Sequence, residues 1–133
     1  MAMTDEELRI KAAELMGAEW FVCPSAMSRG RFLAFGRSVG WECATGEEFK
    51  QHVGSFRIPD YPNDWVAAGE LLDEMVEMEW YPEIQNAGIH GDLWNVYLDN
   101  VNGAIRDMFG QDEKPQRAIT MAFILATEST NAN

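Results

Sequence analysis

Close to the end of the chain, Ala118–Ala126 is apolar at every position but Thr120. On a helix such a run is apolar all round, so it needs partners on more than one side and belongs at the centre of a layered fold. A strand would fit the length, but the Ala and Met content favours helix. Pro115 suits the first turn of that helix. The run falls well short of the roughly 18 apolar residues that a membrane helix needs, and no other stretch comes nearer. Beyond it, residues 127–133 are polar without apolar periodicity and read as a flexible tail.

The other end of the chain is as well punctuated. Thr4 and Glu7 form an S/T-x-x-E capping box, Leu8, Ala12, Leu15 and Met16 share one helical face, and Gly17 supplies a left-handed stop; the pattern predicts a helix over Asp5–Met16. Glu19–Cys23 and Arg31–Phe35 are short and rich in β-formers, as two paired strands would be. Thr45–Val53 suggests a short helical turn. In Arg57–Asp64, Pro59 and Pro62 exclude helix and make an extended lead-in. Asn63 or Asp64 then caps a second helix to about Met78, with Trp65, Ala68, Leu72, Met75 and Val76 as its expected buried face. Strands are expected at Glu79–Ile84, Leu93–Leu98 and Ala104–Phe109, joined by turns at Gly88–Gly91 and Asp99–Gly103. At 133 residues and 47% hydrophobic the chain can build one core. The expected fold is a single α+β domain, an antiparallel sheet packed between helices as an α/β/α sandwich.

Charge narrows the partners. With 22 acids against 10 bases the net charge is −12, which opposes nucleic acid phosphates and anionic membranes, so neither is an expected direct partner. The acidic N-terminus does not resemble a secretory signal, and Cys23 and Cys43 read as buried thiols rather than a disulfide framework; the expected location is the cytoplasm.

Three segments together carry a resemblance. A helix opening Thr4-Asp5-Glu6-Glu7-Leu8 and closing Glu14-Leu15-Met16-Gly17, the Ile58-Pro59-Asp60-Tyr61 stretch entering the Trp65–Met78 helix, and the Ala118-Ile119-Thr120-Met121-Ala122 helix occur in the order seen in the phage ABA sandwich domain, which the chain resembles over most of its length. That family consists of small phage and prophage proteins, mostly without an assigned activity. The resemblance therefore implies provenance and helix–sheet–helix layers, not a reaction. Pro62 stands where a small hydroxyl residue is expected and Thr120 where a cysteine is common, and no functional residue carries over.

The least ordinary feature is that Trp20–Trp41 holds no acid yet carries Arg29, Arg31 and Arg37. Ser25, Ser28, Gly30, Gly36, Ser38 and Gly40 share the segment, so backbone N–H groups beside guanidinium forks could hold a phosphate or carboxylate. The plainer alternative is a strand pair poor in acids with arginines decorating one edge. Trp41, Tyr61, Trp80, Tyr81 and Trp94 could stack on a base, although most should be core; Tyr61, framed by prolines, is expected either partly exposed or packed over a helix end. The candidate ligand-binding set is Ser28, Arg29, Arg31, Arg37, Trp41 and Tyr61. His90 beside Asp92 is the only local His–carboxylate pair and reads as a turn. The two His and two Cys lack metal-site spacing, and no phosphate-binding glycine loop or nucleophile elbow is present. No catalytic residue, metal or cofactor is expected. The leading functional expectation is a non-enzymatic, homo-oligomeric phage protein that sequesters an anionic nucleotide-derived ligand, such as a host immune messenger. One alternative is an acidic inhibitor of a host protein, with Glu6, Glu7, Glu14, Glu70, Asp73, Glu74, Glu77 and Glu79 imitating DNA; another is an orphan structural domain.

Overall fold

The structure is a computed structural model that describes residues 3–22, 31–35, 58–89, 91–100 and 106–131. In chain order these form α1 (Asp5–Leu15), β1 (Glu19–Val22), β2 (Arg31–Ala34), α2 (Trp65–Glu77), β3 (Trp80–Ala87), β4 (Leu93–Asn100), β5 (Arg106–Asp112) and α3 (Pro115–Asn131). The expected helical turn near Thr45–Val53 lies outside the described residues.

Helix α1 starts and stops as its sequence requires. Thr4 Oγ1 accepts from the Glu7 N–H at 3.1 Å while Glu7 Oε1 accepts from the Thr4 N–H at 3.2 Å, which satisfies two otherwise orphaned donors. At the far end Gly17 sits at φ 104°, its N–H donating to the Glu14 carbonyl and that of Ala18 to the Ala13 carbonyl. Strands β1 and β2 pair antiparallel, with Glu19 opposite Ala34 and Val22 opposite Arg31.

The chain is an α+β domain built on an antiparallel sheet of order β3-β4-β5, with helices packed against it. Among the described elements α3 crosses β4 and β5, α2 lies along β3, and the two helices touch each other, so they share one face of the sheet. Helix α1 packs against α3 and β2. Helix α3 thus meets sheet, α2 and α1 at once, which is what its all-round apolar run demanded: Ala118, Ile119, Thr120, Ala122, Phe123, Ile124 and Ala126 are all buried, and Leu125 is the one exposed member. Gly110, opposite Val96 in β4, lets α3 come within backbone distance of β5. A bulge between Val96 and Tyr97 shifts the register there, leaving Phe109 as the extra residue between Met108 and Gly110; its ring lies 5.3 Å from that of Trp80.

Several expectations change, among them the ends of β4 and β5, which run to Asn100 and Asp112, past the expected Leu98 and Phe109. The face that α2 buries is Ala67, Ala68, Leu71 and Met75, whereas Trp65 is 53% exposed and Val76 lies largely in solvent. The helix is apolar over two adjacent stripes, and the one rich in alanine permits the closer approach. Strand β3 begins at Trp80, because Glu79 is the left-handed residue (φ 69°) that ends α2. The tail is not frayed up to Asn131: α3 continues, Thr127 is buried, and Thr127 and Thr130 donate back to the carbonyls of Phe123 and Ala126 at 2.8 and 2.9 Å. Trp80 Nε1 adds a 3.1 Å bond to Thr130 Oγ1, fastening the last turn to the start of β3.

Candidate functional site

Of the six candidate ligand-binding residues, Ser28, Arg29, Arg37 and Trp41 lie outside the described residues, as do Cys23, Cys43 and His90. Arg31 is placed: it opens β2 opposite Val22, at the position where the strand pair closes on the connecting segment that holds Ser28 and Arg29 in sequence.

Tyr61 requires a correction. Tyr61 is 1% exposed and belongs to the core, so of its two expected placements the packed one holds, and the partial exposure that a ligand contact needs does not. The cause is a tight turn: the N–H groups of Asn63 and Asp64 both donate to the Asp60 carbonyl, folding the Pro59–Pro62 segment back on itself. Arg9 reaches across from α1, with Nη2 donating to the Ile58 carbonyl at 2.6 Å and Nε to that of Pro59 at 3.1 Å, and holds the segment down. Burial, reinforced by the negative charge of Glu70, pushes the Tyr61 phenol up to about 12. A side chain held this way does not reach a ligand. Among the other aromatics, Trp80 and Trp94 pack against the core, and Tyr81 is largely exposed.

The most elaborate polar arrangement among the described residues joins α1, β5 and α3. Arg117 Nε donates to Asp112 Oδ2 at 3.0 Å, Nη1 to Asp5 Oδ1, and Nη2 to the Met3 carbonyl at 2.7 Å. Asn63 Nδ2 donates to Asp5 at 3.2 Å and to Asp60 at 3.1 Å, while Lys114 Nζ donates to Asn63 Oδ1 at 2.8 Å. Asp112 Oδ1 also accepts from the Lys114 N–H at 3.0 Å, just before α3 begins. These groups border an open cleft of about 460 Å³ whose wall includes Leu93 and Gln111. Partial burial works against ionisation of Asp5, but the hydrogen bonds from Arg117 and Asn63 and the charges of Arg117 and Lys114 outweigh it and hold the carboxyl below its usual value. The same carboxylates push the Arg117 guanidinium up against the effect of its own burial.

With its donors aimed at Asp5, Asp112 and a carbonyl, Arg117 serves as a clamp and not as an anion trap. Local spacing could not reveal it, because Asp5 and Arg117 are 112 positions apart and the capping box that surrounds Asp5 explains that segment without them. Among the described residues no group of three His, Cys, Asp or Glu could hold a metal ion, and no helix is long and apolar enough to cross a membrane.

Acidic side chains line the helix surfaces. Glu70, Asp73 and Glu77 of α2 are exposed, with Glu74 half-buried beside them, and α2 contains no base. On α1, Glu6, Glu7 and Glu14 are exposed, although Glu7 closes the capping box and Glu14 Oε2 accepts from Trp20 Nε1 at 3.0 Å. No family model, curated protein or solved structure matches the chain.

Proposed function

We propose that the protein is a non-catalytic binding protein of phage or prophage origin that sequesters an anionic, nucleotide-derived small molecule and so blunts a host defence signal. The observation that carries this reading is the charge placement: a −12 chain keeps Trp20–Trp41 free of acids, and the one placed arginine of that segment, Arg31, opens β2 at the end of the connecting segment. With Tyr61 in the core, the proposed contacts reduce to Ser28, Arg29, Arg31, Arg37 and Trp41. Guanidinium forks bind phosphate in a bidentate manner, and the resemblance to the phage ABA sandwich domain supports the provenance.

A thermal-melt screen against mononucleotides, cyclic oligonucleotides and ADP-ribose derivatives tests it. A ligand at 100 times its Kd adds about 2.7 kcal/mol, several degrees for a domain of this size. The double variant Arg29→Glu/Arg31→Glu should lose the shift and keep its fold. No shift with any anionic ligand sinks the proposal.

A second reading, an acidic inhibitor of a host DNA-binding protein, is favoured by the base-free α2. Glu70, Asp73, Glu74 and Glu77 recur at helical spacing over about 10 Å at ~1.5 Å per residue. Binding of such a partner should fall steeply with added salt, and salt-independent capture counts against it.

A further inference from the structure

Helix α2 is apolar on two sides, and the core uses one of them. Ala67, Ala68, Leu71 and Met75 are buried, while Trp65, Gly69, Leu72 and Val76 follow one another at steps of four, three and four along the outer side. Trp65 is 53% exposed and Val76 49%, with Leu72 half-buried between them. At ~1.5 Å per residue this stripe runs about 16 Å, roughly three helical turns. Steps of four and three are those between the a and d positions of a heptad, the seam on which a second helix packs.

Gly69 sits in the middle of that seam. A Cβ built on it meets no described atom within 4 Å, so no contact among the described residues requires a glycine there, and a glycine weakens a helix interior relative to alanine. It leaves a notch between Trp65 and Leu72. A branched apolar side chain of a facing helix enters such a gap as a knob enters a hole.

Charge selects the occupant. Helical geometry puts Val66, Glu70, Asp73 and Glu77 along the one open flank of the stripe, the other flank being the face that meets the core. Val66 is 74% exposed, the three acids are exposed, and α2 contains no base. A second copy of α2 packed antiparallel would set this acidic flank against itself, and a nucleic acid would be repelled by it. A helix with Lys or Arg beside an apolar seam meets both features at once.

We propose that the outer face of α2 docks a basic amphipathic helix of another protein, its apolar a and d residues on Trp65, Gly69, Leu72 and Val76 and its Lys or Arg residues along Glu70, Asp73 and Glu77. The surface lies on a different element from Arg31, so it stands or falls independently of nucleotide binding. It also differs from DNA mimicry, which needs the acids and not the apolar stripe.

The probe is a labelled synthetic peptide of about 18 residues, roughly five helical turns, with Leu at its a and d positions and Lys on the adjoining flank, titrated with the full chain; a second peptide carries Glu in place of Lys. The basic peptide should bind saturably and gain helical circular dichroism, and the acidic one should bind about tenfold more weakly or worse. Gly69→Gln fills the notch with a better helix former, so it should weaken binding about tenfold or more while the melting midpoint holds or rises, which a poorly folded variant could not do. Trp65→Ala should weaken binding similarly, and Glu70→Gln/Asp73→Asn/Glu77→Gln should flatten its dependence on salt. Arg29→Glu/Arg31→Glu should bind the peptide as the parent does, so that failure of one site is distinguishable from failure of the other. Absence of saturable binding overturns the proposal, as does equal affinity for the two peptides. Binding that falls with salt yet ignores Gly69→Gln and Trp65→Ala would leave only the acids at work and equally overturn it. Dimerisation of the chain that is lost in Trp65→Ala would assign the stripe to a second copy, with the same consequence.

Discussion

A Cβ placed on Gly110 would lie 2.0 Å from the carbonyl oxygen of Ala118, so β5 and α3 meet more closely than any side chain allows. The obstacle is backbone on both sides, and helix and strand must separate to relieve it. Gly110→Ala should cost about 3 kcal/mol, at the upper end for overpacking, read as a lower denaturant midpoint at unchanged slope. A loss under 0.5 kcal/mol would mean the contact is looser than described.

The Asp5–Arg117 pair makes stability sensitive to acid. Because the folded Asp5 carboxyl is held below its usual value, the charged form favours folding, and the benefit is complete above the unfolded value of about 3.9 and lost as pH falls through the lower folded value. Asp5 is 45% exposed, so solvent screening keeps the effect small. Urea denaturation between pH 2 and 7 should show a decline below about pH 4 that is shallower in Asp5→Asn.

The same physics runs the opposite way at Tyr61. Its phenol is pushed up to about 12 by burial first and Glu70 second, so the neutral form favours folding; that stability is present below the ordinary value of 10 and lost as pH rises from there through about 12. Tyr61→Phe should flatten the alkaline limb of the stability profile. At neutral pH it should be nearly neutral or slightly stabilising, because no described residue pairs with the hydroxyl.

Glu79 ends α2 in the left-handed region at φ 69°, where a side chain is disfavoured, and donates its N–H to the Val76 carbonyl at 2.9 Å. Glu79→Gly should stabilise the domain by about 0.5–1 kcal/mol, provided relief of strain exceeds the gain in unfolded-chain entropy. A destabilised variant would show that the entropy term prevails.

How much of this was legible beforehand depends on range. Thr4, Glu7 and Gly17 act on atoms three to five residues away, so the bounds of α1 could be read directly from spacing. The apolar run Ala118–Ala126 likewise announced a helix with neighbours on several sides. Which stripe of α2 turns inward was open, because Trp65 and Val76 satisfy helical periodicity as well as Ala67 and Leu71 do, and only the approach of α3 and β3 selects the smaller side chains. The end of α3 was misread for a related reason. Thr127–Asn131 looks polar, but back-bonding satisfies the threonine hydroxyls locally and Trp80, fifty residues earlier, holds the last turn.

For the candidate sites the division is the same. The arginine-rich, acid-free segment is a property of composition and was visible at once. The Arg117 clamp and the burial of Tyr61 under Arg9 join residues far apart in the chain, and no local spacing pairs them. Sequence by itself determined where α1 starts and stops and where α2 begins, since caps and prolines act over a few residues. Tertiary structure decided which faces are buried and which polar groups meet, because those follow from packing between elements that the chain brings together only on folding.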